Sequence, residues 1–397
     1  MAHQPRHATD DDRTIGGREV RRSEDAGRPH PSDTFLAHMR ALFLVFLVAC
    51  KGALGLESAP PTPPAMPPGP VAAPTAEMRI HLIDVGQGAS TLIEFSCGVV
   101  LVDTGGESSH SFDSEAHLLR FLDRFFKVHP RLDKTIALLV LTHPHIDHTR
   151  SAMAVFEHYK VLNVVTDGVT TSSGGDQASD LIRAADRAHI GEERIASHAV
   201  PPQGVHDAVV DPISCADGDP DIRAFWGSVA SNDVDWSHEA LDNMNNDSVV
   251  MRFRLGQASF LITGDLERDG IAELVKKFGP ELKSDVWQVG HHGSWNATTK
   301  PLLDAIEPKL ALIAMGRVER EDTWSAWAYG HPRAESIELL EPALTGPRRD
   351  PIHVSIGTGA KSFISHDVTA PIYATGWDGD VNVTLRADGS EAVRFRH

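Results

Sequence analysis

Cysteine is scarce in this 397-residue chain: Cys50, Cys97 and Cys215 are the full supply, and none stands in a CxxC pair. That count excludes a thiolate zinc site and a disulfide framework. Cys97 and Cys215 are read as plain thiols, with one bridge between them left open for an exported chain. Positive charge is also short. Lys and Arg total 37 against 55 Asp and Glu, a formal net charge of −18. Such a surface repels phosphate backbones at long range. Stable, non-specific nucleic-acid binding is therefore not expected, although a local cationic site can still accept an anion. No short-period repeat is present. There is no P-loop and no nucleophile elbow, and "GASTL" and "GTGAK" read as turns. The hydrophobic fraction of 41% is ample for a core.

Residues 1–38 are polar and charged without apolar periodicity, and read as a disordered extension or a mis-assigned start. From Met39, "MRALFLVFLVACKG" joins Arg40 to an apolar stretch too short to span a bilayer. "LVAC" resembles the lipobox of bacterial lipoproteins. That resemblance implies a signal peptide over 39–50, Met39 as the start, and lipidation of Cys50 as the membrane anchor. Lys51 after the cysteine resembles sorting to the outer membrane, facing the periplasm or the cell surface. The alternative is a short buried helix. Residues 51–77 hold "APPTPPAMPPGPVAAP", an extended, semi-rigid spacer.

A compact domain is expected over 78–397. "MRIHLIDVG", "STLIEF" and "GVVLVDTG" read as strands, and "AHLLRFLDRFFKV" has helical spacing. "TIALLVLT" is a continuous apolar run, so a central strand is expected there. "RSAMAVFEHY" and "ASDLIRAADRAHI" read as helices around the strand "VLNVVTDG". "SVVMRFRLG" and "ASFLITGD" form a hairpin, followed by the helix "ERDGIAELVKKFG". "SDVWQVGHHGS" is a strand ending in two histidines. A helix and strand in "KPLLDAIEPKLALIAMG", a helix in "AESIELLEPAL" and a terminal hairpin complete the chain. Two mixed βα halves with strands ending in His or Asp predict an α/β fold of two sheets packed face to face, helices outside.

The densest chemistry lies in "LVLTHPHIDHTRS", where His143, His145, Asp147 and His148 fall within six positions. In an extended segment, side chains two apart point the same way. His143 and His145 can therefore face one ion. Asp147 and His148 lie where the chain turns and can face a second. Neutral imidazoles and carboxylates suit zinc, and also manganese or iron. The competing reading is a polar loop with unrelated histidines.

"HPHIDH" matches the HxHxDH motif, and the chain thereby resembles the metallo-β-lactamase superfamily over roughly residues 78–397. The resemblance implies that superfamily's four-layer αββα fold. It implies that Asp265, in "ITGD", bridges two divalent metal ions. It also implies that Asp103, in "LVDTG", stands behind a ligand and orients it. "IDVGQGAS", "VGHHGS" and "YGHP" look most like the ComEC-type branch, the hydrolase domain of competence DNA-uptake channels. The glycine-histidine usual in the lactamases is missing between the cluster and Asp265. His198 and His206 stand there without its context, so the later His-His pair and "GHP" are expected to complete the ligand set. On this reading His143, His145 and His292 hold one ion, Asp147, His148 and His331 hold the other, and Asp265 lies between. His291 is then a substrate-facing catalytic group beside Asp147 and Asp265, with the reverse assignment of His291 and His292 as the alternative. Ser294, Asn246 and Ser248 are pocket-shaping or structural.

Two ions sharing a site imply hydrolysis by a water that loses its proton near neutral pH. The leading expectation is cleavage of a phosphodiester-type bond in an anionic small molecule or polymer, nucleic acid or a phosphorylated envelope component. A β-lactam or lactone is the second, and a non-catalytic metal-binding lipoprotein the third. No basic residue adjoins "VGHHGSWNA", and Arg268 is expected on a helix, so a lactam carboxylate lacks an obvious partner.

Overall fold

A computed structural model describes residues 76–396. The N-terminal extension, the signal peptide with Cys50 and nearly all of the spacer lie outside the described residues. The described chain forms a four-layer α/β sandwich, two sheets face to face with helices outside. Side-chain alternation dictates the layering. Val100 and Val102 join the cluster between the sheets, while Val99 and Leu101 join the one under the helices. Leu138 and Val140 point inward in the same way, and Leu139 outward. Strands covered on both faces read as unbroken apolar runs. The helices Ser114–Val128, Ala152–His158 and Gly175–Ala188 cover the outward face through Leu118, Phe121, Leu122, Val155 and Leu181. Asp113 caps the first of them by accepting from Ala116 N at 3.0 Å, worth about 1 kcal/mol.

The first sheet runs Glu391–Arg396, Asp380–Arg386, Glu77–Leu82, Thr91–Glu94, Val99–Val102, Leu138–Val140, Asn163–Thr166, Gly191–Arg194. The second runs Ile372–Ala374, Leu310–Ile313, Val286–Gln288, Ala258–Ile262, Val250–Leu255, Asp221–Trp226. The terminal hairpin thus crosses back to the first sheet, with Ile80 opposite Val383. The expected strand in "TIALLVLT" is broken into Thr135–Ile136 and Leu138–Val140. Only the second piece is central, because Thr135–Ile136 pairs outside the main sheet with Lys160–Val161. Cys97 and Cys215 are not plain thiols but a disulfide. They join the turn before Val99–Val102 to the segment leading into Asp221–Trp226. Their separation of 118 residues leaves no local pattern to read.

Parallel pairing sets where the chemistry collects. Val99–Val102 runs parallel to Leu138–Val140, and Ala258–Ile262 to Val286–Gln288 and Leu310–Ile313. Their C-terminal ends deliver Asp103, His143, Asp265 and the His291–His292 pair. Hydrogen bonds tie the two sheets together at this edge: Val249 N donates to Thr142 O at 2.8 Å, and Thr91 Oγ1 to Gln288 Oε1 at 2.7 Å.

Candidate metal centre

Asp103 follows its strand in the left-handed region, φ 59°. Its Oδ1 accepts from Thr142 N at 2.8 Å and its Oδ2 from Thr142 Oγ1 at 3.0 Å. The same Oδ2 lies 2.8 Å from His148 Nδ1, which turns Nε2 toward the site. A carboxylate so placed fixes the tautomer of an imidazole and raises its basicity. The next residues clamp the backbone of the histidine motif. Thr104 N donates to His148 O at 2.8 Å, and Ala89 N to Asp147 O at 3.0 Å. Gly105 permits this approach, since a Cβ there would lie 1.6 Å from Asp147 O.

His145 closes the extended run, and Ile146–Thr149 forms one helical turn. His143 Nε2 and His145 Nδ1 meet at 2.9 Å. His148 Nε2 lies 3.2 Å from Asp265 Oδ1 and 3.4 Å from His292 Nε2. His292 Nε2 lies 3.3 Å from Asp147 Oδ2 and 3.4 Å from Asp265 Oδ2. Four donors bound tetrahedrally at about 2.0–2.1 Å stand about 3.4 Å apart. Asp147, His148 and His292 form one group of candidate ligands and His143, His148 and Asp265 another, with Asp265 turned to His148 through Oδ1 and to His292 through Oδ2, at spacings that suit such shells. Asp265 Oδ2 is also 3.9 Å from His143 Nε2, so one carboxylate reaches both groups of histidines. The donor set fits divalent metal ions.

The grouping differs from the sequence expectation at His292. His292 stands with Asp147 and His148, not with His143 and His145. His331 packs beside His291 and His292, at ring-centroid distances of 5.6 and 6.0 Å, with its Nδ1 3.2 Å from Gln87 Nε2. The cause is backbone conformation. His291 and His292 have φ 48° and 55°, and left-handed residues cost about 1–2 kcal/mol each. Strain of this kind persists where surrounding structure holds it. Here His292 is held by Nδ1 donating to Ala314 O at 2.7 Å. His291 is left half-buried, its Nδ1 3.1 Å from Glu267 Oε1 and its Nε2 3.8 Å from Asp265 Oδ2.

Burial and charge divide the histidines. Burial pushes His143, His145 and His331 below the usual imidazole range, which favours their neutral form. Burial also opposes a charge on His148 and His292, but the carboxylates outweigh it. Asp265 and Asp103 raise His148 well above its ordinary value, and Asp265 with Asp147 pushes His292 up to about 10. Asp147 and Asp265 are correspondingly low against the desolvation that opposes them. The metal-free site is thus an array of imidazolium–carboxylate pairs.

Ser248 Oγ accepts from Asp265 N at 3.0 Å and so positions that carboxylate. Asn246 is scaffolding, donating to Ala240 O and accepting from Trp226 Nε1. Ser294 N closes the histidine turn on His291 O at 2.8 Å. Residues that the sequence reading passed over also line the cavity of about 340 Å³ above the cluster: Gln87, Arg150, Asn245, Trp324 and Tyr329. Glu267 adds to them through His291. Spacing held part of this signal, since Glu267 is two residues after Asp265 and Arg150 two after His148. Arg150 also supplies a cation that the segments around His292 and Asp265 lack.

His292→Ala is expected to lose bound metal, and His291→Ala to keep it while kcat falls about a hundredfold, the usual scale for a proton-transfer group. Elemental analysis and kinetics on matched preparations check this. Metal loss in His291→Ala alone would exchange the two roles.

The Metallo-beta-lactamase superfamily model matches residues 83–317. ComE operon protein 3 of Bacillus subtilis is 28% identical over 280 residues, covering 67% of this chain and 31% of that protein. Competence protein ComA of Neisseria gonorrhoeae is 27% identical over 285 residues, 70% of this chain and 33% of that protein. The chain thus spans about a third of the length of these relatives. Among solved structures, the metallo-beta-lactamase fold protein YhfI of Bacillus subtilis aligns at 11% identity with a TM-score of 0.35, over 59% of this chain and 85% of that one. The matched span holds every residue of the cluster except His331. The chain belongs to the metallo-beta-lactamase superfamily and resembles its ComEC-type branch.

Proposed function

We propose that this chain is a dinuclear metal-dependent hydrolase of phosphodiester-type bonds, in nucleic acid or a phosphorylated envelope component. The observation that carries the reading is the set of 3.2–3.4 Å spacings among Asp147, His148, His292 and Asp265. Nitrogen and carboxylate donors favour zinc, with manganese or iron as alternatives. Bound there, divalent ions acidify water and screen developing charge on a phosphoryl group.

The protein's own groups supply the rest. Asp103 holds the ring of His148, and Ala314 O holds that of His292. Glu267 Oε1, 3.1 Å from Nδ1, positions His291, whose ring lines the cavity where it can assist the leaving oxygen. Two divalent ions would bring about four positive charges, which the carboxylates of Asp103, Asp147, Asp265 and Glu267 offset. Arg150 on the cavity wall is then the cation that favours an anionic substrate.

The address is part of the proposal. Lipidation of Cys50 and residence at the outer membrane follow from "LVAC" and Lys51. The Cys97–Cys215 bridge supports export, because such bonds persist in oxidising compartments.

Arg150 also favours a second reading, a β-lactam or lactone hydrolase, because it can pair with a lactam carboxylate. One metal-loaded preparation separates the two. The ratio of kcat/KM for bis-p-nitrophenyl phosphate over nitrocefin is expected to exceed about ten, or about 1.4 kcal/mol of transition-state stabilisation. Nitrocefin turnover faster by that factor would put the second reading in place of the first.

A further inference from the structure

Among the described residues, the strongly exposed aromatic side chains are Trp295, Trp324 and Tyr329. Two of them, Trp324 at 68% and Tyr329 at 39% exposure, line the metal-site cavity. Large rings are ordinarily buried for their area, so two left open beside a reactive centre need a reason. Tyr329 stacks on His331, centroids 5.6 Å apart and planes 21° apart. Trp324 lies 6.4 Å from Tyr329. The helical turn Ala326–Tyr329 that links them is capped by Ser325, whose Oγ accepts from Ala328 N. Trp295 is a useful contrast. It does not line the cavity, and its face is covered by the Arg268 guanidinium at 4.2 Å. No cation lies over Trp324 among the described residues.

Arg150 lines the same cavity. Its Nε donates to Gly106 O at 2.8 Å, which fixes the guanidinium plane. Among the described residues no carboxylate forms an ion pair with it, whereas the neighbouring Arg320 is paired with the buried Glu107 at 3.4 Å. The terminal amino groups of Arg150 are therefore available to an anion, in the planar geometry that suits phosphate.

We propose that Trp324 and Arg150 are specificity-determining residues: Trp324, backed by Tyr329, stacks a planar heteroaromatic ring carried by the substrate, and Arg150 binds a second anionic group beyond the scissile phosphodiester. The inference rests on the phosphodiester reading and narrows it. A nucleotide-like chain, with a ring beside the scissile diester and a further phosphate one unit away, satisfies both subsites. A glycerol or ribitol phosphate polymer has no ring to cover Trp324, and a monoanionic diester leaves Arg150 empty.

Calorimetric binding to the zinc-loaded full chain tests this without relying on turnover. Thymidine 5′-monophosphate is expected to bind about tenfold more tightly than ribose 5-phosphate, the size of a modest stacking contribution. Trp324→Ala is expected to erase that difference and leave ribose 5-phosphate binding unchanged. Thymidine 3′,5′-bisphosphate is expected to bind about tenfold more tightly than the monophosphate. Arg150→Ala should abolish that gain and Arg150→Lys retain part of it. For thymidine 5′-p-nitrophenyl phosphate, Trp324→Ala should raise KM about tenfold with kcat kept. Equal affinity for the thymidine and ribose phosphates overturns the ring subsite, as does a Trp324→Ala loss shared by both ligands. A loss in Arg150→Ala shared by mono- and bisphosphate overturns the anion subsite. Failure of the wild-type chain to hydrolyse any diester, with these binding differences intact, would instead count against the hydrolase reading.

Discussion

Replacing Asp265 by Ala should lower kcat on bis-p-nitrophenyl phosphate by about a thousandfold or more and leave fewer than two metal ions per chain. Among the described residues Asp147 lies at ion-pair distance from His292 alone, whereas Asp265 reaches four rings. Asp265 stands 3.2 Å from His148, 3.4 Å from His292, 3.8 Å from His291 and 3.9 Å from His143. Removing it breaks one coordination shell and detaches the other. It also takes away the largest favourable charge acting on His148 and His292, so the metal-free protein loses the pairs that organise its buried centre. A buried pair broken from one side costs about 3–5 kcal/mol, and the Ala variant therefore needs a companion. Asp265→Asn keeps the volume and the backbone N–H bond to Ser248 but not the charge. It is expected to fold, by thermal unfolding, and still to lose metal and activity. An Asn or Ala variant that kept both ions and stayed within tenfold of wild type would remove Asp265 from the centre.

The division between what sequence shows and what it hides follows from the range of each signal. Strands covered on both faces, such as Val99–Val102, carry apolar runs that are visible locally. The histidine motif is equally local, because six positions deliver four donors. Polar edge elements were missed. Gly191–Arg194 is half-exposed and carries no hydrophobic pattern, whereas Ile352–Gly359 does alternate, with Ile352, Val354 and Ile356 turned to the core, and was legible as a strand though passed over. Asp221–Trp226 was also passed over, although Phe225 packs against Phe278 in the core. The pairing of Cys97 with Cys215 and of His292 with Asp147 depends on contacts more than a hundred residues apart. The choice between His291 and His292 turns on left-handed backbone angles, which adjacent identical residues cannot reveal. Arg150 was legible in position but not in direction, since only the hydrogen bond to Gly106 aims it along the cavity wall.

Zinc affinity should climb steeply with pH, by about a hundredfold per unit between about pH 6 and 8. The sign follows from the two raised histidines. In the metal-free chain His148 stands well above its ordinary value and His292 is at about 10, so both rings hold protons at neutral pH. A metal ion binds neutral imidazole, so each ring must lose a proton as the ion arrives, and fewer protons in solution favour that loss. The low values of Asp147 and Asp265 add no proton of their own in this range. Above about pH 10 the dependence on His292 should flatten, because that ring is then already neutral.

The most direct test is a calorimetric titration of the chelator-stripped full chain with zinc near pH 7, run in two buffers that differ in ionisation enthalpy. The predicted result is two ions bound per chain with about two protons released from the histidines. A chain that takes up neither zinc nor manganese, or that binds zinc without releasing protons, would contradict the dinuclear centre.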